Sequence, residues 1–498
     1  MVSAVFKTVG CNLLQRQVRF LPLPHFPIAG ENRILMEKTS ILRNIPQVEK
    51  LLQSDPVREF IPVLGRGIVT NIIRAETESF RKRASAATGL TVDDLQSCIV
   101  AACARKSREK LQRVINGTGV IIHTNLGRSP LSRRILEKLS HTMNGYCNLE
   151  YFIPERTRGR RGGFAEELIC DLTGAEDALI VNNNASSVFL ILNHFAAGKE
   201  VIVSRGELIQ IGGGFRIPDI MNQTGARLVE VGTTNITELA DVSGAVTENT
   251  AMILSAHQSN YRIDGFAHRP GLAELATLKS GSILLVRDLG SGNLVNDQRL
   301  PRPFEPTITR ELSQGADLVC FSGDKLLGAG QAGIIIGRKD LVQELRSHPL
   351  MRMIRVDKIT YYLLQETLLE YENAATEDVA LWQIILQDRK NSGSRINRVL
   401  RRIASPGLKK CITRVSTRAT FGGGSMPGEE IESRGLSLDI PGISAEELYS
   451  FFIDEPVPVL GKIVDDRFCL DFMTVLDRDI PVIVESINRL APRLQEKP

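Results

Sequence analysis

Between about residues 175 and 340, short apolar runs rich in β-branched residues alternate with helix-compatible stretches, and this pattern constrains the fold more than any other feature. The runs are Leu179-Ile180-Val181, Val201-Ile202-Val203, Leu228-Val229-Glu230-Val231, Met252-Ile253-Leu254, Ile283 to Val286, Leu318 to Phe321 and Ile334-Ile335-Ile336. Each is short for a helix, and all but Leu228-Val229-Glu230-Val231 are too uniformly apolar to leave one face in water. The alternation therefore predicts a mostly parallel sheet covered by helices on both faces. Ligands of such sheets bind beyond the carboxyl ends of the strands.

Lys325 falls at such an end, in Phe321-Ser322-Gly323-Asp324-Lys325-Leu326-Leu327-Gly328. Thirty-seven positions upstream, the run Ile283 to Val286 leads into Arg287 and the carboxylate of Asp288. A lysine amine for an aldehyde and a carboxylate for a ring nitrogen are the two protein groups that pyridoxal 5'-phosphate (PLP) requires. The carboxylate keeps the nitrogen protonated, so the ring can take up electrons from a carbanion. Strands that end in Lys or Asp are common, and most such residues are solvated loop positions. Here the loop from Gly323 to Gly333, which contains the lysine, carries four glycines, Gly323, Gly328, Gly330 and Gly333, and glycine permits close backbone approach to a ligand.

A cofactor phosphate needs a cradle. Leu179-Ile180-Val181 runs into Asn182-Asn183-Asn184-Ala185-Ser186-Ser187 and then the apolar Val188 to Leu192, which reads as strand, turn and helix. Free N–H groups and the dipole at that helix start favour an anion, which makes Asn184, Ala185 and Ser186 candidate phosphate contacts, with Ser322 adding a hydroxyl. Asn and Ser serve equally well as ordinary N-caps.

At 498 residues the chain exceeds one ordinary domain, and two or three are expected. Residues 40 to 115 read as helical. Val48, Leu51 and Leu52 lie in one amphipathic stretch, Ile68, Ile72 and Ile73 share a face in another, and Asp93 is the expected N-cap of a third running through Leu95, Ile99, Cys103 and Leu111. From Asp357 a helical pattern with Ile359, Tyr362, Leu363, Leu369 and Tyr371 leads toward a C-terminal α/β segment. That segment has a basic stretch from Arg389 to Arg418, which reads as a solvated face or a nucleic-acid contact, and Gly422-Gly423-Gly424 reads as a turn. Residues 1 to 35, with no acid before Glu31, read as a non-native or disordered extension, with Met36 the expected start.

A net charge of +4 is small for this length and imposes no global basic field. Eight cysteines without a C-x-x-C pair give neither a zinc pattern nor a disulfide framework, so reduced thiols in a cytoplasm, and no metal, are expected. No apolar stretch approaches twenty residues, so no membrane span is expected.

The motifs resemble those of the bacterial selenocysteine synthases, the L-seryl-tRNA(Sec) selenium transferases. The resemblance runs from about Ile41 to the C-terminus. It rests on Leu42 to Val48, Ile115-Asn116-Gly117-Thr118-Gly119-Val120-Ile121-Ile122-His123-Thr124-Asn125-Leu126-Gly127-Arg128-Ser129-Pro130-Leu131, Asn148 to Tyr151, Ser204 to Glu207, Ser259 to Arg262, Asp288 to Gly292 and the Lys325 loop. It implies an aminotransferase-like PLP fold (fold type I) with a mostly parallel central sheet. It divides the chain into an N-terminal helical tRNA-binding domain at 36–105, a large catalytic domain at 106–370 and a small C-terminal α/β domain at 371–498.

The implied reaction converts seryl-tRNA(Sec) to selenocysteinyl-tRNA(Sec) with selenophosphate, by β-elimination to an aminoacrylyl intermediate and addition of selenium. Lys325 would carry PLP, and Arg128, Arg352 and Arg355 would bind the selenium donor's anion. Arginine's planar fork suits such oxyanions, and the spacing of Arg352 and Arg355 puts both on one face if the segment is helical. The resemblance also implies a ring-shaped homodecamer. His123, His257 and Arg205 are candidates for contact with the cofactor ring. The alternative reading is a related PLP-dependent lyase or transferase acting on a free small amino acid or sugar acid.

Three departures from the family pattern carry expectations. Glu150-Tyr151 is followed by Phe152-Ile153-Pro154-Glu155-Arg156 where the family has an acidic stretch, so the adjacent loop is expected to differ. Ala329-Gly330 stands where the family has Gly-Pro, which exchanges a fixed φ for a freer backbone in the lysine loop. Ile236 stands where the family has arginine, so a cation is missing there.

Overall fold

The structure, a computed structural model, describes residues 42–86, 90–211, 214–300, 304–387 and 389–494. The expected extension at 1–35 and the start at Met36 lie outside the described residues. The chain separates into two compact units, with the division between Gln112 and Arg113.

The first unit is helical. Its two long helices, Arg66–Ala86 and Val92–Ser107, enclose a core of Val69, Ile73, Phe80, Leu95, Ile99 and Cys103, joined by Leu51 and Leu52 from the short helix Val48–Gln53. The buried face of the first long helix is set by Val69, Ile73 and Phe80, at intervals of four and seven residues. Ile68, expected on that face, is exposed because it precedes Val69 by about 100° of helical turn. The second helix is capped by Thr91 rather than Asp93. The Thr91 hydroxyl accepts from the Asp94 N–H, while the Asp94 carboxylate accepts from the Thr91 N–H. This helix ends at Ser107, which leaves Leu111 exposed beyond it.

The second unit is built on a seven-stranded sheet: β1 Asp177–Val181, β2 Glu200–Ser204, β3 Arg227–Val231, β4 Thr250–Ala256, β5 Leu284–Gly290, β6 Leu318–Ser322 and β7 Gly333–Gly337. In space the order is β1-β7-β6-β5-β4-β2-β3, with β7 antiparallel to both neighbours and every other pairing parallel. Strand alternation sends Ile334 and Ile336 into one core and Ile335 into another, so both faces are dry, as the apolar runs require. Helix α1, Lys358–Glu372, is capped by Asp357 and buries Tyr361, Leu364, Leu368 and Tyr371 in the first of these cores. Ile359, expected among its apolar positions, is exposed in the first turn.

The C-terminal segment forms a four-stranded antiparallel sheet in which Ile412–Gly422 and Ser425–Leu438 make a long hairpin. Its core includes Phe452 stacked on Phe468 with ring centroids 4.7 Å apart. Gly422-Gly423-Gly424 is the tip of this hairpin, with Gly422 paired to Ser425. The start of the unit returns to the same region: Ile115–Asn116 pairs in parallel with Val459–Leu460, and the Ile121 and Ile122 N–H groups donate to the carbonyls of Thr420 and Phe421.

Candidate active site

The carboxyl ends of β5 and β6 place the two principal groups. Asp288 lies inside β5, opposite Ala256 and Cys320, and the strand runs on to Gly290 through an irregularity in register. Lys325 follows β6 by three residues and is 7% exposed. Its turn is tied down by the N–H groups of Gly323, Leu326 and Ala329, which donate to the carbonyls of Ala332, Ser291 and Gly323. The freer backbone expected of Ala329-Gly330 is therefore restrained here, and Ala329 is buried.

Burial pushes the Lys325 amine below the ordinary lysine range, and the Asp288 carboxylate opposes that shift. Burial also pushes the Asp288 carboxyl upward, against a 2.8 Å hydrogen bond donated by the Asn184 amide and the nearby lysine charge. The amide and the lysine both favour the charged carboxylate.

Helix α2, Asn184–Phe195, starts at the end of β1. Its cap is Asn183, whose side-chain oxygen accepts from both the N–H and the hydroxyl of Ser186. Two expected phosphate contacts thus have other partners: Ser186 is held by the cap and Asn184 by Asp288. Ala185 is half-buried on the first turn. Ser322 is buried at the end of β6 and pairs with Gly333, so β7 lies between it and the α2 turn.

The arginines divide. Arg128 holds Asp324, the neighbour of Lys325, by an ion pair of 2.7 Å, and Ser129 donates through its N–H to the Asp324 carbonyl and through its hydroxyl to the Lys325 carbonyl. Arg128 itself has φ +62°, a left-handed conformation that costs a non-glycine residue about 1 kcal/mol. Arg352 and Arg355 do not share a helical face. The helix there is only Met351–Ile354, and Arg355 is already extended at ψ 142°, so the three-residue spacing no longer aligns them. Both are exposed. The Ile354 carbonyl accepts from the Asn182 N–H, which puts this segment beside the α2 turn, and Arg355 lies 3.9 Å from Glu150. No hydrogen bond or ion pair among the described residues joins either to Arg128 or Lys325.

Of the ring-contact candidates, Arg205 bonds Glu230 and the Gly232 carbonyl, and His123 lies half-buried in the turn that leads to Arg128. His257 lies beside Asp288 with its side chain 13% exposed, and its backbone N–H donates to the Asp288 carbonyl. Burial, followed by the charges of Arg287, Arg269 and Lys325, lowers its imidazole to about 3. The ring is therefore neutral, and its Nε2 lies 3.2 Å from the Glu305 carboxyl, which burial pushes up.

Sequence reasoning missed Glu305, which also binds the Ser291 hydroxyl and the Met426 N–H, and Arg287, buried between Glu311 and Ser255. Arg287 is adjacent to Asp288 in sequence, and a charged residue inside an apolar strand was its only signal. Nothing local marks Glu305.

The residues present fit PLP. Lys325 Nζ makes no hydrogen bond among the described residues, and Asn184 Oδ1, His257 Nδ1 and Ser259 Oγ are buried without partners. A reactive amine, a carboxylate and unsatisfied polar atoms at the ends of neighbouring strands match the polar groups that PLP presents. No cluster of metal-ligating side chains occurs among the described residues.

Fold and site together define the class: an aminotransferase-like, PLP-dependent enzyme. The solved structure of D-glucosaminate-6-phosphate ammonia-lyase shares the fold, with TM-score 0.55 and 17% identity over 79% of this chain and 99% of that one. A family model described as L-seryl-tRNA selenium transferase matches residues 114–476, and one described as selenocysteine synthase N terminal matches residues 42–81. The L-seryl-tRNA(Sec) selenium transferase of Geobacter sulfurreducens is 41% identical, and that of Geotalea uraniireducens 40%, each over 91% of this chain and the full length of the relative. The chain belongs to the L-seryl-tRNA selenium transferase family.

Proposed function

We propose that the chain converts L-seryl-tRNA(Sec) to L-selenocysteinyl-tRNA(Sec), with selenophosphate as donor and PLP held at Lys325. The observation that carries this reading is the buried Lys325 amine beside the Asp288 carboxylate, in a chain that aligns with whole selenium transferases. Lys325 would hold the aldehyde, Asp288 the ring nitrogen, and the first turn of α2 the phosphate. When bound, PLP supplies an electron sink for the charge left on the seryl α-carbon.

The chain's own groups do the rest. Burial pushes the Lys325 amine below the ordinary lysine range, in the direction that favours the neutral form a base needs, so Lys325 is the base for the seryl α-proton. Asn184 orients Asp288, and Arg128 holds Asp324 in place beside the lysine. The seryl carboxyl is an ester in this substrate and needs no cation, which leaves Arg128, Arg352 and Arg355 for the anion of selenophosphate.

The helical unit recognises tRNA by shape and phosphate contact, since A-form helices hide most sequence information. Arg81, Lys82 and Arg83 on its first long helix suit that role. The reading extends to a cytoplasmic homodecamer. Tyr151, Phe152, Ile153 and Phe164, exposed around a cavity of about 990 Å³, supply apolar surface for subunit contact. No helix among the described residues is long and apolar enough to cross a membrane.

Incubation with seryl-tRNA(Sec) and selenophosphate, followed by assay of selenocysteinyl-tRNA, tests the reading. Product is expected. Turnover of a free amino or sugar acid with none on the aminoacylated tRNA would favour the lyase alternative. Deletion of residues 36–105 is expected to abolish tRNA binding and spare PLP absorbance.

A further inference from the structure

The triple glycine at the hairpin tip reaches the catalytic lysine. A Cβ built on Gly424 would lie 3.4 Å from Lys325 Nζ and 3.4 Å from Ser259 Oγ. Ser259 is 4% exposed and its hydroxyl has no partner among the described residues. The missing side chain thus leaves a gap, about one carbon wide, that touches both the amine and an unsatisfied buried hydroxyl. Such a gap suits a small group that carries an oxygen: an apolar occupant would leave the hydroxyl unpaired, at a cost a buried polar atom rarely bears.

The tip cannot move aside easily. Glu305 accepts the Met426 N–H at 2.9 Å on one side, and on the other the Ile121 and Ile122 N–H groups bond Thr420 and Phe421. Turn geometry gives Gly424 one reason to be glycine, since its φ is +75°. Gly428, on the same hairpin, has φ +79°, but a Cβ there would meet only the guanidinium end of Arg262 at 3.5 Å. The two positions share the backbone constraint and differ in what lies opposite.

We propose that Gly424 is a specificity-determining residue: the gap between Lys325 Nζ and Ser259 Oγ receives the hydroxymethyl group of the seryl substrate, with the Ser259 hydroxyl as its hydrogen-bond partner. This rests on the seryl-tRNA reading. It assigns the C-terminal segment a wall of the substrate site.

The test compares the parent chain with Gly424→Ala, Gly428→Ala and Ser259→Ala, each loaded with PLP. Two rates are measured: conversion of seryl-tRNA(Sec) with selenophosphate, and solvent deuterium exchange at the α-carbon of alanyl-tRNA(Sec), whose side chain lacks the oxygen. PLP uptake is followed by absorbance. Gly424→Ala is expected to take up PLP normally, to slow seryl conversion at least tenfold and to leave alanyl exchange within twofold of the parent. Gly428→Ala should match the parent on both.

Equal slowing of both substrates by Gly424→Ala, no slowing of either, or failure to take up PLP would overturn the proposal, the last by assigning the gap to the cofactor. Should Gly424→Ala not fold, Ser259→Ala decides: selective loss of seryl conversion supports the proposal, and equal effects overturn it. A parent chain that makes no selenocysteinyl-tRNA defeats the seryl reading and the gap with it, whereas an active parent with an indifferent Gly424→Ala defeats only the gap.

Discussion

The floor and the rim of this site are built differently. On the floor, Lys325 and Glu305 are buried and Asp288 and His257 half-buried at or beside the ends of sheet strands, and the carboxyls have hydrogen-bond partners within the chain. On the rim, Arg352 and Arg355 are exposed, on a helix of a single turn and its extended exit. Groups that must hold one cofactor atom for many turnovers are fixed by the sheet. The arginines proposed to capture and release the donor's anion stand on short, solvated elements, whose charges gain little until a ligand desolvates them. Arg128 is intermediate, half-exposed yet pinned to Asp324.

The sharpest way to break this contrast is at the floor. Lys325→Ala should abolish borohydride-trappable PLP and lower turnover by about 10³-fold or more, as loss of a positioned base and attachment point requires. If trapping persists in that variant, the attachment point is elsewhere. Asp288→Asn should keep the shape and the Asn184 contact while removing the charge, with turnover reduced about a hundredfold and the visible absorbance of bound PLP shifted.

At the rim the effect should be smaller and confined to one substrate. Arg352→Ala with Arg355→Ala should weaken apparent selenophosphate affinity by roughly tenfold, the worth of one charge-assisted hydrogen bond, and leave PLP absorbance unchanged. An unchanged affinity would remove both residues from the donor site.

The smallest effect sharpens the claim that the floor is dry. His257 in the folded chain is held at about 3, below its ordinary 6.5, so between those values the unfolded chain binds a proton that the folded one does not. Its contribution to stability is present above about pH 6.5 and is lost as pH falls toward 3, with a limiting slope of about 1.4 kcal/mol per pH unit. His257→Asn should flatten urea midpoints measured from pH 6 to 4 relative to the parent. The raised carboxyls of Glu166 and Glu207 pull the other way but are common to both chains. Equal slopes would mean that water reaches this imidazole.

Much of the floor was legible because strand ends are legible. A buried strand declares itself as an apolar run, and Asp288 and Lys325 each follow one, so period and punctuation located both. Phosphate contacts were read less well: Asn184 and Ser186 look alike as helix-start residues, and only the fold shows that one bonds Asp288 and the other Asn183. The rim was least legible. Three-residue spacing aligns side chains only on a continuing helix, and the exit of Arg355 into extended backbone has no marker in Arg352-Met353-Ile354-Arg355. Glu305 was invisible as a functional residue because its importance comes from a partner 121 residues away at Met426.

The pairing of Ile115–Asn116 with Val459–Leu460 has a consequence for how the enzyme comes into being. A ribosome would release the lysine-bearing strand long before the hairpin that roofs it, and the opening stretch of the same unit must wait for a strand made some 340 residues later. A nascent chain that has emerged only to residue 410 would expose the amine without its lid, so competence should switch on late and abruptly in synthesis.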